Sequence, residues 1–146
     1  IKPDGYLLGS YLIATAPDTV SATRLARVVC DACRTERQLD AHELAFAADI
    51  LKTLREVQPD APDLPELFYV GAGCEVCSGT GFKGQIGLFE IFRMTRDMQV
   101  AVLANDFTQL LPLARKDGML TLREDGLVKV LGGVTTIGEV LRVTLG

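Results

Sequence analysis

Apolar residues recur along this chain in several rhythms, and each rhythm predicts its own kind of element. From Asp40 to Val57, the positions Ala47, Ile50, Leu51, Leu54 and Val57 repeat at helical spacing and predict one amphipathic helix. Asp40 stands at its N-cap with Glu43 three residues on, the capping-box arrangement that satisfies two otherwise orphaned N–H groups. Upstream, residues 6–29 read as one or two helices interrupted by Pro17. Asp18 or Thr19 caps the second of these, and Val20, Leu25, Val28 and Val29 make its buried face. On that reading Arg24 and Arg27 share another side of the same helix.

Leu67 to Val70 and Ile86 to Phe92 are short runs rich in β-branched and aromatic residues, and they predict strands. Pro59, Pro62 and Pro65 make the segment before them a loop, with the character of a hinge. From Thr95 onward the rhythm is helical throughout. One helix covers about 96–104, and a second runs from Thr108 to Lys116 and stops at Gly118. A third opens with Thr121-Leu-Arg-Glu124 and ends at Gly132-Gly133, and a fourth opens with Thr136-Ile-Gly-Glu139. The expected fold is a mostly helical α/β fragment, with short strands in its middle and a bundle of short helices at its C-terminal end.

Four cysteines alter this plain picture. Cys30-Asp-Ala-Cys33 is followed some forty residues later by Cys74-Glu-Val-Cys77. Two residues between cysteines allow a tight knuckle to aim both sulfurs at one point, and two such knuckles complete a tetrahedron around a metal ion. Gly73 and Gly79 supply the positive φ that these turns need. Cys30, Cys33, Cys74 and Cys77 are therefore the candidate metal ligands, in a zinc-knuckle insertion over 30–92. Zinc is the expected ion, although iron suits four thiolates equally and spacing does not separate the two. With every position filled by protein, the site is structural rather than catalytic. Four thiolates and one divalent cation leave a charge of about −2, which Arg24, Arg27, Arg34, Arg37 and Lys83 are near enough in sequence to offset. His42, the single histidine, falls in the first turn of a helix and is expected at the surface.

Composition narrows the functional classes. The chain has 146 residues, 48% hydrophobic, with 15 Lys+Arg against 19 Asp+Glu and no Trp. A net charge of −4 argues against a nucleic-acid binder, which needs a basic surface to displace counterions. The longest apolar stretch, Tyr6 to Ala16, is shorter than the roughly 20 residues a membrane helix requires. Ala14-Thr15-Ala16 satisfies the small-x-small rule of signal cleavage, but the basic region that should precede it is missing. A reducing cytoplasm is the expected compartment, where paired cysteines favour metal over disulfide.

Two motifs are decoys. Gly79-Thr-Gly81-Phe-Lys-Gly84 matches G-x-G-x-x-G, but it follows a cysteine knuckle and leads into a strand, whereas a dinucleotide site opens a helix. Glu124 and Asp125 form an acidic pair that helix capping explains. No P-loop lysine motif and no nucleophile–histidine pair is present, so no catalytic or cofactor-binding residue is expected in this chain.

Taken together, these residues resemble a known family. Arg24-Leu-Ala-Arg-Val-Val-Cys30-Asp-Ala-Cys33-Arg34 and Val70-Gly-Ala-Gly-Cys74-Glu-Val-Cys77-Ser-Gly-Thr-Gly81-Phe-Lys-Gly84-Gln-Ile-Gly87-Leu-Phe-Glu90 are similar to the tetracysteine region of the type II secretion and type IV pilus assembly ATPases. The run from Ala114 to Arg142 is similar to that family's C-terminal end. Gln85 stands where the family usually has Arg, and the segment before Arg24 departs from its pattern. The resemblance implies a cytoplasmic, hexameric ATPase at the inner membrane that powers pilin or pseudopilin assembly and meets inner-membrane platform proteins. Residues 1–29 would end its motor domain, 30–92 would form the zinc-binding subdomain, and 93–146 the C-terminal helical part. ATP and magnesium would belong to the upstream part, because Walker A and Walker B are not in this chain. A second reading is a DnaJ-like chaperone module binding unfolded protein. Cys74-Glu-Val-Cys77-Ser-Gly-Thr-Gly81 fits its CxxCxGxG repeat, of which four would be needed to hold two metals.

Overall fold

A computed structural model describes residues 14–145. The chain order is β1 (Thr19–Val29), β2 (Arg34–Arg37), α1 (Ala41–Val57), β3 (Phe68–Gly71), β4 (Phe82–Arg93), α2 (Arg96–Leu103), α3 (Leu110–Lys116), α4 (Leu122–Leu131) and α5 (Ile137–Thr144). Single 3-10 turns stand at Asp31–Cys33, Glu75–Cys77 and Phe107–Gln109. The chain is thus a mostly helical α/β fragment with short strands around its cysteines. No described helix is long and apolar enough to cross a membrane.

The largest departure from the sequence reading is β1. Residues 19–29, expected as helix, form a strand that pairs with β4. Hydrogen bonds from Cys30 N–H to the Gly81 carbonyl (2.9 Å) and from Met94 N–H to the Asp18 carbonyl (2.9 Å), at opposite ends, make the pairing antiparallel. The reason lies in a period-two pattern that the helical reading passed over. Val20, Ala22, Ala26 and Val28 turn inward to different degrees, while Thr19, Ser21, Thr23, Leu25 and Arg27 face out. Leu25, assigned above to a buried face, is 55% exposed, and Arg24 and Arg27 fall on opposite faces of the strand. Asp18 caps no helix here. The part of the helical expectation that falls on residues 6–13 lies outside the described residues.

The chain divides into two compact units. In the first, made of residues 22–90 and 120–146, α1 keeps its capping box: Asp40 Oδ1 accepts from Glu43 N–H (2.8 Å) and Glu43 Oε2 accepts from Asp40 N–H (3.2 Å). Ala47, Ile50, Leu51 and Leu54 bury the predicted stripe against Phe68, Leu88, Leu127, Val130, Ile137 and Val140. Gly126 lies inside α4 because a Cβ there would come 2.7 Å from a methyl carbon of Val140. The proline-rich loop is tied down rather than free. Arg55 donates to the Ala61 carbonyl at 3.2 Å and to Asp63 at 2.6 Å, while Ala61 and Leu64 pack on the core.

The second unit, residues 14–21 and 91–119 among those described, has a smaller core of Met98, Ala114 and Met119, with Phe92, Met94, Leu110 and Leu113 against it. Thr95 caps α2, and Gly118, at φ +90°, ends the α3 segment as its position predicts.

Candidate metal centre

The site is built by four short pieces of backbone. β2 and β3 pair antiparallel in the register Arg34↔Gly71, Thr35↔Val70, Glu36↔Tyr69 and Arg37↔Phe68, which carries the two knuckles toward each other from adjacent strand ends. Ala72 N–H donates to the Cys33 carbonyl (2.9 Å), locking the second knuckle to the first. Each knuckle is one 3-10 turn, closed by Cys33 N–H to the Cys30 carbonyl and by Cys77 N–H to the Cys74 carbonyl, both 3.2 Å.

Gly71 and Gly81 allow the strands to cross at contact distance. A Cβ on Gly71 would sit 1.9 Å from the Gly81 carbonyl oxygen, and one on Gly81, at φ +75°, 2.5 Å from the Gly71 oxygen. No L side chain fits that crossing. The glycine spacing of the decoy motif therefore serves the fold of the knuckle. As expected, it leads into strand β4 and opens no helix.

The four sulfurs converge. All lie within 4.8 Å of one another, with Cys30–Cys74 at 4.0 Å, Cys33–Cys77 at 3.8 Å and Cys74–Cys77 at 3.8 Å. These are far beyond a disulfide bond of about 2.0 Å, and all four cysteines are free. A tetrahedron with metal–sulfur bonds of about 2.3 Å has edges of about 3.8 Å, and three of the six separations, at 3.8–4.0 Å, are close to that edge. Cys30 and Cys77 are buried, whereas Cys33 and Cys74 are half-buried. The arrangement can hold one metal ion and leaves no protein-free coordination position.

Backbone N–H groups point at the sulfurs. Gly73 N–H donates to Cys33 Sγ (3.3 Å), and Cys74 N–H and Gly81 N–H both donate to Cys77 Sγ (3.2 Å each). The Cys74 N–H, followed by that of Gly81, brings the Cys77 thiol down to about 6 despite its burial. Burial pushes the Cys33 thiol up to about 12, against the Gly73 N–H, and its three sulfur neighbours push the same way. Four thiols this close do not all ionise on their own, and a bound cation is what makes four thiolates compatible.

The arginines expected to offset the cluster's charge are engaged elsewhere. Arg27 pairs with Glu139 at 2.6 Å and lies over the Phe82 ring, 4.2 Å from its centroid. Arg34 donates to the Gly133 carbonyl (2.8 Å) and stacks on Tyr69 at 3.9 Å. Arg37 pairs with Glu43 at 2.7 Å, and Arg24 bonds its neighbour's carbonyl. Hydrogen bonds to the sulfurs come from backbone N–H groups rather than from these side chains.

Arg34 and Arg27 instead fasten the cysteine module to the turn between α4 and α5 and to α5 itself. Gly133, at φ +70°, leaves the space that Arg34 and Tyr69 occupy. Val29 N–H donates to the Val134 carbonyl (2.9 Å), and the fully buried Thr135 hydroxyl donates to the Arg27 carbonyl (2.8 Å). The sequence reading missed this junction; its only local signal is the Gly132-Gly133 pair, which was read as a helix end. His42 is exposed at the start of α1, as expected, and the acidic pair is used structurally. Glu124 Oε2 accepts from Thr121 N–H, and Asp125 Oδ2 accepts from Phe89 N–H and pairs with Lys129.

Comparison with known proteins supplies the remaining context. A family model described as "Type II/IV secretion system protein" matches residues 7–142. The chain is 37% identical over 134 residues to the type IV pilus assembly ATPase PilB of Thermus thermophilus, covering 91% of this chain and 14% of that protein. It is 30% identical to PilB of Pseudomonas aeruginosa, covering 92% and 22%. It is 32% identical to the type II secretion system protein E of Pectobacterium carotovorum, covering 92% and 24%. The chain thus spans between 14% and 24% of the length of these relatives.

Proposed function

The chain belongs to the type II/IV secretion system protein family, and from that premise we propose that it is part of a cytoplasmic, hexameric ATPase powering pilin or pseudopilin assembly at the inner membrane. In this reading Cys30, Cys33, Cys74 and Cys77 hold one structural zinc ion. The observation that carries the metal assignment is the sulfur–sulfur spacing of 3.8–4.0 Å, the edge of a four-thiolate tetrahedron. One cluster of four cysteines, all the chain contains, also counts against a chaperone module with two metal sites.

The zinc ion supplies no chemistry of reaction here; it ties two distant knuckles together. Residues 1–29 would end the motor domain, 30–92 form the zinc-binding subdomain and 93–146 the C-terminal helical part. This division follows chain order, whereas α4 and α5 belong to the same compact unit as the cysteines and α2 and α3 to the other. ATP and magnesium would be held upstream, since this chain carries neither Walker motif. The zinc module would act as an arm against the inner-membrane platform or a neighbouring subunit.

Elemental analysis of the purified protein tests the metal, with one zinc per chain expected and less than one after Cys30→Ser. In the intact parent protein, Cys74→Ser should impair pilus or secretion assembly while nucleotide binding persists. Full assembly activity from metal-free protein would refute the role.

A further inference from the structure

The two knuckles match in exposure and differ in where the half-buried cysteine finds its neighbouring sulfur. Each presents one half-buried cysteine, Cys33 or Cys74, and one buried cysteine, Cys30 or Cys77. Cys33 has its 3.8 Å neighbour, Cys77, on the opposite knuckle. Cys74 has Cys77 at 3.8 Å within its own three-residue turn. Joining Cys33 to Cys77 would draw two separately anchored segments together, whereas joining Cys74 to Cys77 deforms a single turn. That turn is already flanked by left-handed residues, Gly73 at φ +90° and Ser78 at φ +53°. Ser78, a non-glycine residue, takes its left-handed conformation as the C-cap of this turn, its N–H bonded to the Glu75 carbonyl.

We propose that the cysteine cluster is an oxidation-sensitive release site, at which Cys74 meets a hydroperoxide and Cys77 closes a disulfide with it, expelling the metal. The Cys74 thiolate attacks the peroxide, breaks its O–O bond and becomes a sulfenic acid, and hydroxide leaves as water after taking one proton. The Cys77 thiolate then displaces the sulfenic oxygen, which leaves as a second water with a second proton. Two thiolates, one hydrogen peroxide and two protons give one disulfide and two waters. The sulfurs lose the two electrons that the peroxide gains. Removing two of four ligands leaves Cys30 and Cys33, which cannot retain a tetrahedral ion. The cysteine side chains would then no longer tie the knuckles together, leaving the β1–β4 and β2–β3 pairings and their backbone hydrogen bonds to hold them.

This inference rests on the zinc reading above, and the experiment separates their failures. Zinc is first counted in the purified wild-type protein; a metal-free preparation that will not take up zinc overturns the zinc reading and this one with it. The zinc-loaded protein is then treated with hydrogen peroxide. Released metal is followed with a chromogenic chelator, and the cysteines are mapped by alkylation and mass spectrometry. One zinc per chain should be released as the Cys74–Cys77 disulfide forms, and dithiothreitol with added zinc should reverse both. Retained zinc, a disulfide involving Cys30 or Cys33, or over-oxidised cysteine without a disulfide would overturn the inference while leaving the zinc site standing. The mapping uses the wild-type chain, because removing a ligand also removes the metal.

Discussion

Glu139 and Arg27, 112 positions apart, form a charged contact with one side buried: a carboxylate only 3% exposed accepts the Arg27 backbone N–H at 2.9 Å and its guanidinium at 2.6 Å. Arg142, one turn further along α5, supplies two more bonds at 2.9 and 2.7 Å. Thr136 caps α5 through its hydroxyl as predicted (3.2 Å), but Glu139 turns to the arginines rather than completing the box. One acid therefore joins the start of α5 to the strand that leads into the first cysteine knuckle.

Burial alone would raise the Glu139 carboxyl, but Arg142 and then Arg27 outweigh it and bring it down to about 2. A carboxyl depressed on folding adds stability above its unfolded value near 4.3 and loses it as pH falls toward 2. Glu139→Gln should cost about 2–3 kcal/mol at neutral pH. The gap between wild type and variant in urea unfolding should close between pH 4.3 and 2. A gap that stays constant across that window would contradict the assignment.

Gly71→Ala and Gly84→Ala should differ sharply. At Gly71 the added carbon meets backbone, 1.9 Å from the Gly81 oxygen, so the knuckle itself must move. At Gly84, φ +83° with open space around it, the cost is only the left-handed conformation, about 1 kcal/mol. Thermal unfolding and metal content together check this: Gly71→Ala should lower both, and Gly84→Ala only the first, slightly.

Metal removal should act locally. Stripping the ion with a chelator should speed amide hydrogen exchange in β2, β3 and the two cysteine turns, whose closure depends on it. Helices α2 and α3, with their own core of Met98, Ala114 and Met119, should keep their protection. Hydrogen–deuterium exchange with mass spectrometry reads both regions in one experiment.

Leu54→Ala, at a fully buried position in α1, should cost about 2–5 kcal/mol. Leu44→Ala, on the same helix but 48% exposed, should fall within about 0.5 kcal/mol of wild type. Urea midpoints of the two variants would show whether α1 carries its load on the predicted stripe.

Much of this was readable without coordinates, because its causes are local. A capping box needs two residues three apart, so α1 and α4 were placed to within a residue by Asp40–Glu43 and Thr121–Glu124. A CxxC turn needs only its own four residues, so each knuckle was legible in its spacing, while β2–β3 pairing brings the two together. The family resemblance rested on the same short-range patterns and was matched over 7–142.

What sequence could not decide was every pairing between distant segments. Residues 19–29 carry helical and strand rhythms at once, and the choice fell to β4, more than fifty residues away, whose backbone groups β1 pairs with. The same holds for the charges. Arg27 and Arg34 lie near the cysteines in sequence, but only folding brings them to Glu139 and Gly133. Local geometry fixed which atoms could bind a metal, and long-range packing fixed what holds those atoms in place.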